Sequence, residues 1–372
     1  MTISSDDSIG IVGAGVSGLL LANQLIARGY EVTLFGEKDN RNQVLGSWRN
    51  AATPSPQKHY VLGNWHSWEF KFNNQKFLQK GAKYHYEVID GKAMKLDIEN
   101  SLQRVSNCTR ILENIASIKR HDRGHEVCFE SGRQSVPVDF LVDTRPPIRA
   151  TSCCVQQFIG LYVNIAPSDI GLDKPLIMDY GSCGTEKDNS AFIYALPLSN
   201  GRVLIEATTF DVKVRNDSFF LRSIESWWSL RTEQNLTDKI ECKESGILPM
   251  GKIKPRFNPE NSFGSAGGAT RPATGYTLVG IERQLQTSDL WTISGGIPKF
   301  EFSKLSQFMD SKFLRVLRNE PSSMREIFHE MARGMTGDEF ARFLSDRFNL
   351  RIAAKVIHKM PKMLFLRNFL KF

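Results

Sequence analysis

The sequence offers no CxxC pair and no cysteine spacing suited to a metal. Its six cysteines, Cys108, Cys128, Cys153, Cys154, Cys183 and Cys242, are scattered, and the neighbours Cys153 and Cys154 are poorly placed to bridge one another. They read as reduced thiols. His59, His66 and His85 also lack the spacing of helical zinc ligands, so no metal is expected. No secretory leader is visible in MTISSDDSIG, which carries Asp6 and Asp7 in place of a basic region. No apolar run reaches spanning length, because the longest candidate, Ile9 to Ile26, is interrupted by four glycines and by polar residues. These absences predict a cytoplasmic chain. Tyrosine is scarce, 8 residues against 24 phenylalanines, and rings without hydroxyls suit an apolar pocket or a lipid contact as well as a core. With 41% hydrophobic and 24% charged residues the composition excludes a disordered or fibrous protein. No nucleic-acid motif is present, so no nucleic-acid partner is expected and the net charge of +8 needs another explanation.

What the sequence does contain begins with IGIVGAGVSGLLLANQLIARGYEVTLFGEKD. A short apolar strand ends at Val12, Val16 to Arg28 has helical periodicity, Gly29 closes the helix, and Glu31 to Phe35 reads as a second strand. The loop Gly13, Ala14, Gly15, Val16, Ser17, Gly18 therefore stands in the strand-loop-helix setting that dinucleotide binding requires. The first glycine permits the tight turn, the second lets backbone approach a pyrophosphate, and the third lets helix and strand pack closely. The helix start offers free N–H groups to the phosphates. Its place at the N-terminal end points to FAD rather than NAD. The acid expected on the ribose is displaced by one position, with Gly36 in its place and Glu37 next. Either the strand bulges and Glu37 still reaches the ribose, or the ribose is held differently. No second GxGxxG follows, so NAD(P)H, if it is the electron source, binds transiently.

Further segments succeed one another in a telling order: Trp65 to Leu102, Asp143 to Arg145, Gln157 to Gly160, Met178 with Asp179, Tyr194 to Ser199, Leu204 to Thr208, Leu248 to Gly251, and Gly264 to Thr277. Each is short, but their collinear order resembles the lycopene cyclase family, whose β-cyclases share the flavin monooxygenase fold. The resemblance implies an α/β (α+β) protein. Its FAD-binding Rossmann-type domain would be built from residues 1–50, 105–150 and 245–300. A β-rich substrate domain would take 51–104 and 151–244, and a helical C-terminal region 301–372. The segment FGSAGGATRPATGYTL resembles the one that packs flavin and pyrophosphate in this fold. Gly267 and Gly268 would let backbone approach the cofactor, with Thr274 and Gly275 nearby. Arg271 sits where many relatives carry His and would meet the flavin's anionic edge.

The activity so implied is conversion of a linear ψ end group of lycopene, or a related carotene, into a β-ionone ring, dependent on reduced FAD but without net oxidation. Such a reaction needs an acid to protonate an alkene, surroundings that stabilise a carbocation, and exclusion of water. A carboxylic acid serves if an apolar site keeps it neutral. Glu206, in the apolar strand VLIEATTF, matches the first carboxylate of an acidic pair important in the family; the alternative is a solvated or ion-paired strand residue. The second position of that pair is Ala207, so burial alone is expected to hold the proton on Glu206. Asp179 reads equally as a residue for positioning or acid-base work or as the cap of a turn before Gly181. Rival readings are an FAD-dependent monooxygenase or reductase, or a cyclase, acting on another isoprenoid chain. A non-catalytic isoprenoid-binding flavoprotein is a third.

From about residue 302 the spacing of apolar residues predicts helices, broken at Pro321 and separated near Gly337. Residues 347–372 carry seven cations (Arg347, Arg351, Lys355, Lys359, Lys362, Arg367, Lys371) and no acid, which is +7 of the chain's +8. The first four recur every fourth residue, and MLFLRNFLKF adds large apolar side chains. This composition suits an amphipathic anchor on anionic lipid, which would place the protein peripherally on the inner face of a membrane. The alternative is a helix packed on the body with its basic face solvated.

Overall fold

The computed structural model describes residues 7–72, 75–122, 124–149, 153–181, 191–251, 253–287, 297 and 300–370. Cys183 and the tail residues Lys371 and Phe372 lie outside them. A four-stranded parallel sheet runs in the order Phe140–Asp143, Ser8–Val12, Glu31–Phe35, Cys108–Ile111. Its central strand, SIGIV, is apolar and buried from Ile9 to Val12, as a strand covered on both faces must be. The helix α1 (Val16–Ala27) springs from the glycine loop and packs Leu19, Leu21 and Leu25 into this sheet's core. The helix α2 (Gly91–Leu102) is capped by Asp90, whose side chain accepts from the Ala93 N–H. It packs on α1 through Met94, Ile98 and Leu102, although the sequence groups it with the inserted segment.

The second large element is a seven-stranded sheet in the order Ile240–Met250, Cys154–Asn164, Arg202–Asp211, Ala191–Pro197, Leu176–Asp179, Ser67–Phe72, Gln75–Lys80. The strand expected from the alternation in HSWEFKF is Ser67–Phe72, with every second residue buried. One face of the sheet is covered by α3 (Asp217–Ser229), which lays Phe220, Ile224 and Trp227 over Ile159, Ile193, Ile205 and Ala207. A three-stranded antiparallel sheet, Val44–Asn50, Tyr84–Asp90, Val61–Trp65, bridges the two halves. The helix α4 (Leu278–Gln286) packs Leu278 and Ile281 into the core beneath α1.

The C-terminal helices close over the other face of the large sheet. They are α5 (Lys304–Asn319), α6 (Met324–Gly334), α7 (Gly337–Leu344), α8 (Leu350–Lys359) and α9 (Lys362–Leu370). The break falls at Pro321 as the sequence predicts, and Thr336 with Glu339 forms a capping box that starts α7. Leu317, Met324, Ile327, Phe340, Ile352 and Leu364 share one core with Trp68, Phe70 and Phe192 of the sheet. The basic stripe is shorter than its spacing predicts, because Arg347 precedes α8 and Lys355 is ion-paired with Glu339 at 2.5 Å. The tail is docked: α8 buries Ile352 and Val356, α9 buries Leu364, and Arg367 pairs with Glu320. Yet Leu350, Ile357, Met363 and Leu366 remain exposed, Met363 at 76%. Among the described residues no helix is long and apolar enough to cross a membrane.

Candidate active site

A cavity of about 2160 Å³ runs from the glycine loop, at the carboxyl end of the parallel sheet, to the face of the large sheet that looks toward the C-terminal helices. Its first end fits a dinucleotide. Gly13 turns with φ +111°, and a Cβ on Gly18 would sit 1.9 Å from the Gly13 carbonyl oxygen, so both positions demand glycine. A Cβ on Gly15 would meet no protein atom within 4 Å, which leaves that backbone open to the cavity. No side chain caps α1 and no acid stands in its first turn, so its free N–H groups face the cavity lined by Ala14, Val16 and Ser17.

The displaced acid is explained by Gly36. It takes φ +114°, directing the chain so that Glu37 lines the cavity, where Asn114 Nδ2 donates to Glu37 Oε1 at 3.3 Å. Gly268, Thr274 and Gly275 also line the cavity, whereas Gly267 lies where a Cβ would be 2.5 Å from the Ser262 carbonyl oxygen. Arg271 does not present a free cation there. It is 1% exposed, forms a two-pronged pair with Asp310 (2.8 Å), and donates to the Phe343 carbonyl. Its charge is neutralised inside the protein, tying the glycine-rich loop to α5 and α7.

The second end of the cavity holds Glu206, 8% exposed, among Phe158, Met178, Phe192, Phe210 and three tyrosines, Tyr86, Tyr194 and Tyr276. Tyr86 and Tyr194 share a hydroxyl hydrogen bond of 2.8 Å, and Thr208 Oγ1 donates to Glu206 Oε1 at 2.5 Å. Strand register supplies a second carboxylate. Gly160 is opposite Glu206 on one side and opposite Glu244 on the other, so both acids stand on one face and position 160 contributes no side chain between them. Glu244 also lines the cavity, and its Oε2 accepts from the Tyr162 hydroxyl at 2.7 Å and the Val44 N–H at 3.0 Å.

Desolvation, reinforced by the Glu244 charge, pushes Glu206 up to about 8 despite the Thr208 hydrogen bond. Burial pushes Glu244 up to about 7, offset by its two donors and reinforced by Asp90. The expectation that burial acts alone on Glu206 is thus corrected. Ala207 points to the α3 face, where Ile159 and Ile193 are its neighbours. An acid there would have faced away from the cavity.

Asp179 lies on that opposite face too, and it is fully buried. Its carboxylate accepts from the Gly181 N–H (2.8 Å), Trp227 Nε1 (3.1 Å) and Arg231 Nη2 (3.0 Å), with Lys71 Nζ at 3.8 Å. Of the two readings of Asp179, the turn cap is the one realised. These contacts engage its carboxylate away from the cavity, which it does not line.

The family described as "Lycopene cyclase protein" matches residues 8–368. The chain belongs to the lycopene cyclase family. Within that family, the lycopene beta-cyclase of Paracoccus sp. (strain N81106 / MBIC 01143) is 29% identical over 139 residues, a match spanning 36% of this chain and 35% of that protein. Among solved structures, Klebsiella pneumoniae HpxO, complexed with FAD and uric acid, superposes with a TM-score of 0.61 at 12% identity, covering 97% of this chain and 99% of that one. A geranylgeranyl bacteriochlorophyll reductase-like protein from Thermoplasma acidophilum superposes with a TM-score of 0.60 at 11% identity, covering 97% and 98%. At such identities the likeness is one of fold, and this lycopene cyclase family member has the Rossmann-type flavoprotein fold.

Sequence reasoning missed Glu244, the tyrosine trio, and the pairing of Asp39 with Lys95 beside the nucleotide end (2.9 Å). Glu244 lies in ESGILPMG, directly before a segment already singled out, but nothing local marks a strand residue whose partner is two strands away. The signal for the tyrosines was their scarcity: three of eight stand on this one cavity.

Proposed function

We propose that this member of the lycopene cyclase family closes the ψ end groups of lycopene, or a related carotene, into β-ionone rings, as an intramolecular lyase without net oxidation, and that it does so with reduced FAD bound. The observation that carries this reading is Glu206: buried on a cavity wall of apolar and aromatic side chains, and with no ion-pair partner among the described residues. Such a carboxyl keeps its proton at neutral pH and is therefore an acid. Glu206 gives that proton to the terminal alkene, the neighbouring alkene closes the ring, and a proton leaves. Protons given and taken are equal, so no oxidant is required. The faces of Tyr86, Tyr194 and Tyr276 stabilise the cation, while Phe158, Phe192 and Phe210 exclude the water that would trap it as an alcohol.

The glycine loop, the start of α1, Glu37 and the Gly268 to Gly275 turn would hold FAD. Reduced FAD, supplied with electrons by NAD(P)H, would contribute electron density beside the cation. A carotene is insoluble in water, and exposed Leu350, Ile357, Met363 and Leu366, interspersed with Arg351, Lys359 and Lys362, suit a surface that rests on anionic lipid and collects substrate there. On this reading the protein works peripherally at the cytoplasmic face of a membrane. An anaerobic assay with reduced flavin and lycopene tests the reading: a cyclic product of unchanged mass, with no NAD(P)H consumed per ring, supports it. Stoichiometric NAD(P)H consumption, or an oxygenated or reduced product, rejects it in favour of redox chemistry.

A further inference from the structure

We propose that Glu244 is a positioning residue for the proton on Glu206: its carboxylate, facing Glu206 across Gly160, disfavours the Glu206 anion, so that Glu206 enters each cycle protonated and recaptures a proton from the new ring. The inference rests on the reading of Glu206 as the acid.

The geometry is set by the sheet. Directly opposite residues on neighbouring strands share a face, and Gly160 is opposite both acids. Two strand spacings put their Cα atoms about 9.6 Å apart. With any larger residue at 160, a side chain would stand between them, since a Cβ there would come 3.1 Å from Glu244 Cγ and 3.4 Å from Oε1. The two hydrogen bonds to Glu244 both fall on Oε2, from Tyr162 and Val44. They fix the carboxylate and leave Oε1 on the Gly160 side.

Among the described residues no cation acts on either acid to quench the repulsion. Glu206 is faced by Thr208 on its own strand, by Tyr194 on the next, and by Tyr276 from the glycine-rich loop. Glu244 is faced by Tyr162, by Asp90 at the start of α2, and by Cys242 on its own strand. Among the described residues neither acid has an ion-pair partner. Asp90 is the further charge that acts on Glu244, and it has the same sign.

The step balances without any outside reagent. The Glu206 O–H bond breaks as a C–H bond forms at the terminal alkene, and the neighbouring alkene's electron pair makes the ring C–C bond. A ring C–H bond then breaks, its electrons forming the new double bond and its proton returning to the Glu206 carboxylate. Glu244 touches neither bond. It acts by making the intermediate Glu206 anion a strong enough base to retrieve the proton.

The test reads the proton directly. Infrared titration of the full-length flavoprotein without carotene follows the protonated-carboxyl stretch that Glu206→Gln abolishes. In wild type its midpoint is expected near 8. Glu244→Gln, whose amide oxygen still accepts both hydrogen bonds, lowers that midpoint by about one pH unit, the effect of a unit charge at this spacing and an effective dielectric of about 20. Glu244→Asp, which keeps the charge, leaves it within a few tenths of a unit; Glu244→Met repeats the reading if Gln does not fold. An unmoved midpoint in both uncharged variants overturns the proposal. Because no carotene is present, a shifted midpoint in a protein that fails to cyclise carotene rejects the cyclase reading and upholds the coupling.

Discussion

Glu206 and Glu244 are both register partners of Gly160, one on each side, and so stand on the same face of the seven-stranded sheet with no side chain from position 160 between them. This lateral pair, rather than two acids adjacent in sequence, is what the pleat permits. Consecutive residues of a strand point to opposite faces, and position 207 belongs to the α3 core.

Loss of the acid should be severe and local. Glu206→Gln is expected to lower carotene cyclisation by roughly 10²–10⁴-fold, the range for removal of a general acid, with FAD affinity unchanged. Product formation by chromatography beside a flavin titration checks both halves.

Stability should carry the mark of the same pair. Both carboxyls are raised, Glu206 to about 8 and Glu244 to about 7, from a common 4.5. The folded state therefore binds more protons than the unfolded state between those values. The pair's contribution to stability is fully present below 4.5 and is lost as pH rises toward 8. Relative to wild type, Glu206→Gln should gain stability steadily between pH 5 and pH 8.5, by a few kcal/mol at most. Denaturant melts at the two pH values read the difference, and a constant offset would mean Glu206 is not held protonated.

The two central loop glycines should separate folding from cofactor binding. Gly18→Ala drives a Cβ into the Gly13 carbonyl and should prevent folding of the loop. Gly15→Ala meets no protein atom, so the apoprotein should melt within about 1 kcal/mol of wild type while FAD affinity falls at least about tenfold. Thermal melts with and without FAD test this.

Arg271 is a structural tie, and its removal should show as such. Asp310→Ala strands a guanidinium that is almost fully buried and should cost about 3–5 kcal/mol of stability, measurable by chemical denaturation.

Lipid contact should depend on exposed side chains rather than on the helix that bears them. Leu364 and Asn368 of α9 are buried, so deleting the tail disturbs the body as well. Met363→Glu with Leu366→Glu alters only outward positions. It should abolish co-sedimentation with anionic phospholipid vesicles while the melting temperature stays unchanged. Retained binding would reject the anchor.

The features legible in the sequence were those fixed by neighbours along the chain. The glycine loop, α1, the Ser67–Phe72 strand and the break at Pro321 each follow from local spacing. Glu206 was legible because an acid within VLIEATTF is conspicuous. Its environment was not: the register that brings Glu244 opposite Gly160 is a long-range property. From their motifs, Arg271 was read as a flavin contact and Asp179 evenly as a functional residue or a turn cap. Which face a strand residue presents, and whether a buried cation finds a carboxylate such as Asp310 from a distant helix, depends on the packed fold.

Ring closure by protonation carries a hydrogen from the acid into the product, and running the reaction in D₂O reads that hydrogen. With reduced flavin and lycopene under anaerobic conditions, and with Glu206 re-equilibrated with D₂O between turnovers, mass spectrometry should show one hydrogen replaced by deuterium per ring formed and no other change in composition. A cyclic product without deuterium, or a product changed by two hydrogens or by oxygen, would contradict the account.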